Sequence, residues 1–423
     1  MTAAAAAAGT AGAGRRPPEL PEQRRVLAVL AVSQTLSGAG LAAGITVGAL
    51  LAGEMLGSTG LAGVPSALFT GGSVLGALAI GRLCQRWGRR PGLTAGYAAG
   101  AVGSVGVVVA VTADHVPLLL VSLLVYGAGT ATNLQARYAG ADLASPERRG
   151  RAVSLVLLAT TLGAVVGPNL VTVSGRVAEH GGVPRLAGPF LLAALAYGLA
   201  AVVLGSLLRP DPLRLARARA AALPLDGRRD GSAAGLSGGP RGPGVRTGLA
   251  VMLLGQLVMI AVMTMTPVHL DAHGHGTGAT GLVIALHVGA MFLPSPLSGV
   301  LVDRLGALPV AAASGAVLGA AGLLAALAPP DSVAALATAL VLLGLGWNLG
   351  LVSGTAVVTA AVPLERRAAT QGLADTGLAV AGCTGGLLSG PVVAAGGFGA
   401  LALGGALVAL TVVPLTRLAA RRT

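Results

Sequence analysis

Four polar side chains recur at helical spacing inside an otherwise apolar stretch. Tyr126 is followed by Thr130, Asn133 and Arg137 at offsets of four, seven and eleven residues, so all four share one face of a helix. An arginine near the centre of a membrane helix costs about 2.5–3.5 kcal/mol on insertion scales, so it must face water, a charged partner or a ligand. The stripe therefore indicates a binding surface for a polar solute or a set of interhelical contacts, with Asp142 as a candidate partner for Arg137.

Two titratable side chains also lie within apolar stretches. Asp375 follows Gln371 by one helical turn on the same face, and His287 lies in a separate apolar run. A titratable group on a polar path through a membrane protein can carry a proton. Asp375 is the first candidate for proton coupling and His287 the second. The alternative for Asp375 is a buried structural pair with an arginine of a cytoplasmic latch.

The segment HLDAHGHG at 269–276 is the third cluster. It holds His269, Asp271, His273 and His275, shortly after three methionines at 259, 263 and 265. Imidazole binds zinc or copper, and thioether binds Cu(I). The alternative is a short exposed polar turn, preceded by methionines that fill a loosely packed helix face. We favour the turn, so the sequence predicts neither a metal site nor a cofactor.

The composition assigns these residues to a membrane protein. Of 423 residues, 54% are hydrophobic and 2% aromatic, and the mean hydropathy is +0.81, which is too apolar for an ordinary soluble chain. A bilayer core about 30 Å thick requires about 20 apolar helical residues per crossing. Twelve segments are predicted to span it: 26–51, 61–81, 92–113, 116–141, 152–173, 187–208, 247–268, 279–302, 308–328, 333–360, 368–393 and 398–416.

The positions of the arginines predict the orientation. The net charge is +13, and none of the 28 basic residues is a lysine. With a cytoplasmic N-terminus, every arginine except Arg137, Arg176 and Arg185 falls in a link or terminus on the cytoplasmic side, which is the positive-inside pattern. Both termini are therefore predicted to be cytoplasmic. Topology and anionic lipid headgroups account for the basic charge, so no nucleic-acid partner is expected.

The non-membrane segments divide the chain. Residues 1–25 are rich in Ala, Gly and Pro and are predicted to be a disordered cytoplasmic N-terminus. The segment 209–246 is predicted to be a mobile cytoplasmic linker, with a short basic amphipathic helix near 212–222 on the lipid surface. It separates a six-span half at 26–208 from a second at 247–420.

The two halves repeat each other. The link GRLCQRWGRR at 81–90 follows the second span of the first half, and GVLVDRLGAL at 299–308 follows the second span of the second half. The stretches 127–154 and 344–371 each carry a Gly-x-Gly, then small residues, then Pro, Glu, Arg and Arg in that order. The sequence thus predicts an all-α membrane protein of twelve transmembrane helices, arranged as two pseudo-twofold six-helix bundles with a ligand site between them.

On these residues the chain resembles the major facilitator superfamily over residues 24–420. The family carries the link Gly-x-x-x-Asp-Arg-x-Gly-Arg-Arg between its second and third helices. The matching positions here are Gly81, Arg86, Gly88, Arg89 and Arg90, whereas Gln85 replaces the aspartate.

Two further elements extend the resemblance. The second copy of the link keeps Asp303 and Arg304 but lacks the terminal arginine pair. Gly163, Gly167 and Pro168 in the fifth span are similar to part of the Gly-x-x-x-Gly-Pro element of the family's drug antiporters, which is the basis for expecting export.

The resemblance implies a rocking transporter with a cytoplasmic gate. Arginines at helix ends can bond helix C-terminal carbonyls and carboxylates, and Asp142 is the expected partner of Arg86, Arg89 or Arg90. Because Gln85 is neutral, one charge of this latch is absent. The alternative is that the arginines only anchor the topology. The predicted gate residues are Gly81, Gln85, Arg86, Gly88, Arg89, Arg90, Asp142, Asp303 and Arg304.

The resemblance also places spans 1, 4, 7 and 10 around a central cavity. Gln34 and Gln256 occupy corresponding spans of the two halves, as do Asn133 and Asn348. Each amide either contacts substrate or bonds another helix. The predicted cavity residues are Gln34, Tyr126, Thr130, Asn133, Arg137, Gln256 and Asn348.

Together these features predict a secondary transporter, not an enzyme. No phosphate-binding loop with a lysine and no catalytic Ser/His/Asp arrangement or HExxH occurs in the sequence. We expect a monomer in the plasma membrane that exports a small organic molecule or drug in exchange for protons. The alternatives are an importer or uniporter of a small metabolite, or a membrane sensor that does not transport.

Overall fold

A computed structural model describes residues 21–56, 64–222, 242–275, 277–329 and 331–421, and the regular structure in these ranges is helical. The N-terminal half contains α1 (Pro21–Leu56), α2 (Val64–Trp87), α3 (Arg89–Thr112), α4 (Val116–Ala141), α5 (Arg149–His180) and α6 (Gly188–Leu207). A linker helix, α7 (Pro212–Ala222), follows. The C-terminal half contains α8 (Pro243–Ala272), α9 (Thr277–Phe292), α10 (Ser295–Leu305), α11 (Ala307–Leu327), α12 (Val333–Ala361), α13 (Arg367–Leu410) and α14 (Val412–Ala420).

Within the described residues, nine helical stretches are long and apolar enough to cross a membrane. This confirms the prediction of an all-α membrane protein. The longest stretch, Arg367–Ala420, contains two of the predicted spans. The count of twelve crossings stays a prediction. Of the segment 1–25 that was predicted to be disordered, residues 1–20 lie outside the described ranges, whereas residues 21–25 are helical and belong to α1, which therefore begins earlier than predicted.

Two predicted spans differ in shape from simple helices. The predicted span 279–302 is divided into α9 and α10 around Pro294, which cannot donate a backbone hydrogen bond. The predicted break between the last two spans is reduced to a single residue, Gly397, whose φ of 78° lies in the left-handed region. A glycine reaches this conformation without the steric cost that a Cβ would add.

Each half has its own apolar core. One cluster of buried side chains is formed almost entirely by α1–α6 and includes Tyr97, Tyr126 and Tyr197, of which Tyr197 packs against the rings of the other two. The other is formed mainly by α8–α13. The halves meet where α2 packs against α13 and α5 packs against α10.

The linker helix forms where the sequence predicted one. It carries three arginines among leucines and alanines. It lies at the end of the molecule where α2 ends and where α5 and α13 begin. We name this end, which holds most of the arginine-rich links, the basic end. Arg217 of α7 donates to the carbonyl oxygens of Leu364 and Gln85, which belong to different halves. The linker therefore ties the halves together.

Candidate functional site

A buried ion pair joins the two halves. Arg137 of α4 donates from Nη2 to Oδ1 of Asp375 in α13 over 2.6 Å, and both side chains are almost completely buried. Arg137 also donates from Nε to Oγ1 of Thr355 in α12 over 3.1 Å. Tyr138 donates to the same carboxylate oxygen over 3.3 Å. One guanidinium from the N-terminal half is thus held by two helices of the other half.

Asp375 also borders a cavity between the halves. The cavity measures about 340 Å³ and lies among α2, α4, α8, α12 and α13. Its wall includes the aromatic rings of Phe69 and Trp347 and the amide of Gln256. The second carboxylate oxygen of Asp375, Oδ2, is buried and has no hydrogen-bond partner in the described part of the chain. A titratable acceptor is therefore left unsatisfied at the wall of a central cavity.

A second cluster joins the halves one turn closer to the basic end. Arg89 donates from Nε to Asp142 over 2.7 Å, and both side chains are fully buried. Arg89 also bonds Gln371 of α13. Gln371 in turn donates to Thr359 of α12 over 3.1 Å. Of the three arginines proposed as partners of Asp142, Arg89 is the one in contact with it.

The helix N-termini at the basic end are capped across the halves. Oε1 of Gln85, in α2, accepts from the backbone N–H of Ala368 over 2.9 Å and of Ala369 over 3.3 Å, at the start of α13. Asp303 of α10 accepts from the N–H of Gly150 over 2.8 Å and of Arg151 over 3.2 Å, at the start of α5. The two copies of the repeated link therefore make equivalent caps, one by an amide and one by a carboxylate.

Glycines let the backbones meet behind these caps. A Cβ added to Gly81 would lie 2.8 Å from the Cα of Gly372. A Cβ added to Gly299 would lie 2.6 Å from the carbonyl oxygen of Gly150. Any larger residue at either position would force the halves apart. The basic end is thus closed in this structure by ion pairs, caps and direct backbone contact.

Four predicted cavity residues lie elsewhere. Gln34 donates to Thr160 over 2.9 Å, and Asn133 donates to Ser37 over 2.9 Å. The hydroxyl of Tyr126 donates to the carbonyl oxygen of Gly40 over 2.6 Å. These three bonds lie within the N-terminal half. The prediction placed these residues at the cavity wall, but the structure uses them to join α1, α4 and α5.

Asn348 departs from its prediction in the same way. It donates to Ser295 and to the carbonyl oxygen of Met291, each over 2.7 Å, and accepts from Ser298 over 2.6 Å. It therefore fastens α12 to α9 and α10, at the point where Pro294 interrupts the helix. Asn133 and Asn348 share a role as interhelical bonds, which the sequence left open as the alternative.

Of the other predicted cavity and coupling residues, Gln256 and Thr130 lie at or next to the cavity, whereas His287 does not. Gln256 lines the cavity and accepts from the indole N–H of Trp347 over 2.7 Å. Thr130 donates to Ser73, which is itself a cavity residue, over 3.1 Å. His287 is fully buried, donates from Nδ1 to the carbonyl oxygen of Leu340 over 2.7 Å, and is not part of the cavity wall.

The remaining gate residues have more local contacts. Arg86 and Arg304 are exposed, and Arg86 lies over the ring of Trp87. Arg90 donates to the carbonyl oxygen of Gly205 over 2.7 Å, and its backbone N–H donates to Asp211 over 2.7 Å. Gly88 adopts a φ of 95° next to Asp211. Arg90 and Gly88 therefore hold the link against the start of the linker rather than against the other half.

The fifth-span glycines and the histidine segment complete the predicted set. A Cβ on Gly163 would overlap the carbonyl oxygen of Thr35, so this glycine permits close packing of α1 and α5. Gly167 and Pro168 lie in α5, with side-chain surroundings outside the described part of the structure. His269 stacks on Phe398 and abuts His273. No three metal-ligating side chains converge anywhere in the described ranges.

Three contributors to the site were not predicted. Tyr138 and Thr355 complete the surroundings of Arg137, and Trp347 supplies an aromatic wall. Tyr138 follows Arg137 directly in sequence, and Trp347 directly precedes Asn348. Their position next to a predicted site residue is the one sequence feature that could have indicated their role. Thr355 offered none, because threonine is common in apolar helices.

The chain is similar to known proteins over most of its length. A family model described as Major Facilitator Superfamily matches residues 30–386 and 247–423. The uncharacterized MFS-type transporter YdeG of Bacillus subtilis (strain 168) is 53% identical over 392 residues, covering 93% of this chain and 91% of YdeG. The riboflavin transporter RfnT of Brucella anthropi is 30% identical over 368 residues, covering 83% of this chain and 85% of RfnT.

Solved structures agree on the fold. The human organic anion transporter MFSD10 (TETRAN) superposes with a TM-score of 0.75 at 18% identity, over 95% of this chain and 100% of that chain. With a family model spanning most of its length and relatives that match it almost end to end, the chain belongs to the Major Facilitator Superfamily of multi-pass membrane transporters.

Proposed function

We propose that this protein exports a small organic molecule across the plasma membrane in exchange for protons, by alternating access between the two halves. The observation that carries the proposal is the ion pair between Arg137 and Asp375. It joins the halves, and its carboxylate keeps one unpartnered oxygen at the central cavity. The protein acts as a monomer, with both termini and the basic end on the cytoplasmic side.

The coupling follows from what a proton does to this pair. A proton that reaches Asp375 through the cavity neutralises the carboxylate and removes the charge that holds Arg137. Arg137 then keeps only neutral partners, Tyr138, Thr355 and the carbonyl of Leu134. A buried guanidinium without a counter-charge is unfavourable, so the closed arrangement loses stability relative to one in which Arg137 meets water. The cytoplasmic side opens, the proton leaves, and substrate enters.

The direction of transport rests on the Gly163, Gly167 and Pro168 element. Close packing of α1 on α5 at Gly163 supports the comparison with drug antiporters. The cavity supports an organic substrate, because it combines aromatic rings with an amide and a carboxylate. These features favour export, and a flux measurement decides the direction.

The test uses purified protein in liposomes with an imposed pH gradient. Lipophilic cationic dyes or antibiotics are added, and collapse of the gradient is followed. Collapse is expected with the wild type and with Asp331→Asn, a control carboxylate in an exposed link. It is expected to be lost in the Arg137→Ala, Asp375→Asn double variant. Equal collapse in all three proteins would overturn the coupling role of the pair.

A second candidate is transport of a flat heteroaromatic metabolite. RfnT is described as a riboflavin transporter, and the cavity of this chain has an aromatic wall. Phe292 packs edge-on against Trp347 at 5.7 Å between ring centroids, and Trp347 is bonded to Gln256. Such a ring, fixed by a neighbour and an amide, suits stacking of a planar ligand, which contributes about 0.5–1.5 kcal/mol beyond area burial.

Labelled riboflavin separates the candidates. Flux of riboflavin in liposomes, reduced about tenfold by Trp347→Ala and unchanged by Trp87→Ala, would support this second candidate. Trp87 is the chain's other tryptophan and is 45% exposed. Absence of riboflavin flux, together with dye-driven collapse of the pH gradient, would exclude it.

A further inference from the structure

A second cavity lies at the basic end, separate from the central cavity that Asp375 borders. It measures about 1010 Å³ and is bounded by α1, the connection between α4 and α5, α7, α10 and the start of α13. Its arginines are Arg24, Arg148, Arg149, Arg151, Arg219 and Arg367. We name it the basic cavity.

The basic cavity has more positive charge than its own acids can balance. Asp142 is the one carboxylate in its wall, and Arg89 already holds it at 2.7 Å. Arg149 and Arg367 also interact with Asp142 electrostatically, and they repel each other. Arg149 also feels Glu147, and Arg367 also feels Glu365, but neither of these glutamates lines the cavity. Three guanidiniums therefore share the single carboxylate of the cavity wall.

Two of the remaining arginines have acids of their own. Arg151 lies 3.7 Å from Asp303, and Arg219 lies 3.0 Å from Glu22. Arg149 and Arg367 share Asp142 with Arg89, so the wall next to Asp142 carries a local excess of positive charge.

Buried donors at this point lack acceptors. Nε of Arg149 is buried with no hydrogen-bond partner in the described ranges. Arg367 is 7% exposed, and its Nε reaches only the carbonyl oxygen of Val362, over 3.3 Å. Buried guanidinium groups without a counter-charge are unfavourable. Phosphate oxygens match the fork of guanidinium donors and supply the missing charge.

The wall of the basic cavity turns apolar towards the membrane. Leu27, Ala28 and Ala31 of α1 face Leu155 of α5 and Val300 of α10. Leu155 follows Arg151 by four residues on α5, about 6 Å deeper along the helix. It is 42% exposed, although large and apolar. A basic rim above an apolar, laterally open wall fits a phosphate group with an acyl chain beneath it.

We propose that the basic cavity binds the phosphate of an anionic phospholipid, with the headgroup at Arg149 and Arg367 and the acyl chain along Leu155. The shared chemistry is that of a phosphate ester, and the apolar wall favours the lipid over a soluble source. The site is separate from the transport cavity, so the proposal stands or falls independently of the substrate.

Such a lipid bridges the two halves. Arg149 belongs to the N-terminal half, Arg367 begins α13 of the C-terminal half, and α7 lies along the same cavity. A phosphate held by both arginines adds a contact that exists only while the basic end is closed. Bound anionic lipid therefore stabilises the closed arrangement and acts as a brake on its opening.

The first experiment measures lipid binding directly. Native mass spectrometry of the full chain gives the Kd for phosphatidylglycerol and for phosphatidylcholine with the same acyl chains. Arg149→Gln with Arg367→Gln is expected to weaken phosphatidylglycerol binding about 30-fold, because each arginine contributes about fivefold. Arg82→Gln, which removes an exposed arginine outside the cavity, is the matched control. Equal affinity in the double variant and the control would overturn the proposal.

A second variant tests the proposal independently, in case the double arginine variant does not fold. Ala28→Phe fills the apolar part of the basic cavity but leaves every charge in place, and it is also expected to weaken phosphatidylglycerol binding at least tenfold. Unchanged binding in this variant would refute the acyl-chain position. Competition by sn-glycerol 3-phosphate at the same affinity as the lipid would identify a soluble phosphate ester as the ligand and overturn the lipid assignment.

The brake has its own readout. Double electron–electron resonance measures the separation of the halves between two spin labels, attached at Trp87→Cys and Arg366→Cys. Both positions are exposed and lie at the basic ends of α2 and α13. Cys84 and Cys383 are replaced by serine. Phosphatidylglycerol is expected to increase the short-distance population in the wild type but not in the Arg149→Gln, Arg367→Gln variant. A lipid that binds without changing this population would overturn the regulatory role.

Discussion

Replacement of Asp375 by asparagine tests the central contact most sharply. The side chain keeps its size, but Arg137 loses the charged partner that lies 2.6 Å away, and it stays fully buried as long as the basic end is closed. Removing one member of a buried pair costs about 3–5 kcal/mol, because the other charge is left uncompensated. The penalty applies to the closed arrangement alone, since opening exposes Arg137 to water.

The equilibrium between closed and open states is therefore expected to move by about two to three and a half powers of ten. Conformational states of transporters differ by a few kcal/mol, so this shift is large enough to reverse the preference. Spin labels at positions 87 and 366 are expected to report a mainly open basic end in Asp375→Asn. Acidification, which opens the wild type in the proposed mechanism, is expected to have no further effect on the variant.

Two companion variants make the argument refutable. Arg137→Gln is expected to open the basic end less than Asp375→Asn does, because a buried carboxyl group can take up a proton whereas a guanidinium stays charged. The double variant, Arg137→Gln with Asp375→Asn, has no buried charge at this point and is expected to regain much of the closed state. Together with the two single variants it forms a double-mutant cycle, which gives the coupling energy of the pair. A closed distance retained in Asp375→Asn alone would refute the reasoning.

Three other changes probe the closure at the basic end with the same labels. Asp303→Asn weakens the cap on α5 by one charge-assisted hydrogen bond, which contributes about 1.5 kcal/mol. The open population should therefore rise about tenfold. An unchanged distance distribution would show that the cap is dispensable. Gly81→Val should hold the basic end open, since its Cβ would lie 2.8 Å from the backbone of α13. Gly198→Val, where a Cβ meets nothing within 4 Å, is the control. Arg217→Ala should raise the open population about fivefold by freeing the linker helix, whereas alanine at the exposed Arg214 should not.

The sequence predicted the class of fold well, because the apolar spans, the arginine asymmetry and the internal repeat are local or periodic signals. It also singled out Arg137 and Asp375 as unusual intramembrane charges. It did not pair them. The two residues are 238 positions apart, and Asp142, which was nearer in sequence, was the candidate partner. Only the packing of α4 on α13 pairs Arg137 with Asp375, and only the packing of α3 on α4 shows that Asp142 belongs to Arg89.

The sequence could not decide between the two roles it left open for each amide. A helix inside a bundle has neighbours on several sides, so a polar face can point to a cavity or to another helix. Gln34, Asn133 and Asn348 bond other helices, whereas Gln256 reaches the cavity wall. The spacing of polar residues is the same in both cases, because an interhelical hydrogen bond and a ligand contact both require a donor at that face. The distinction depends on tertiary structure.

The two carboxylates that bond across the halves occupy different environments. Asp375 borders the central cavity, whereas Asp303 caps α5 at the basic end. In the first copy of the link the equivalent position is Gln85, which makes the same kind of cap but cannot be neutralised by a proton. Protons therefore act on the pair at Asp375 but not on the cap at the start of α13. Opening of the basic end breaks both contacts, so the cap contributes a part of the closed-state stability that does not change with pH, and Asp375 contributes the part that does.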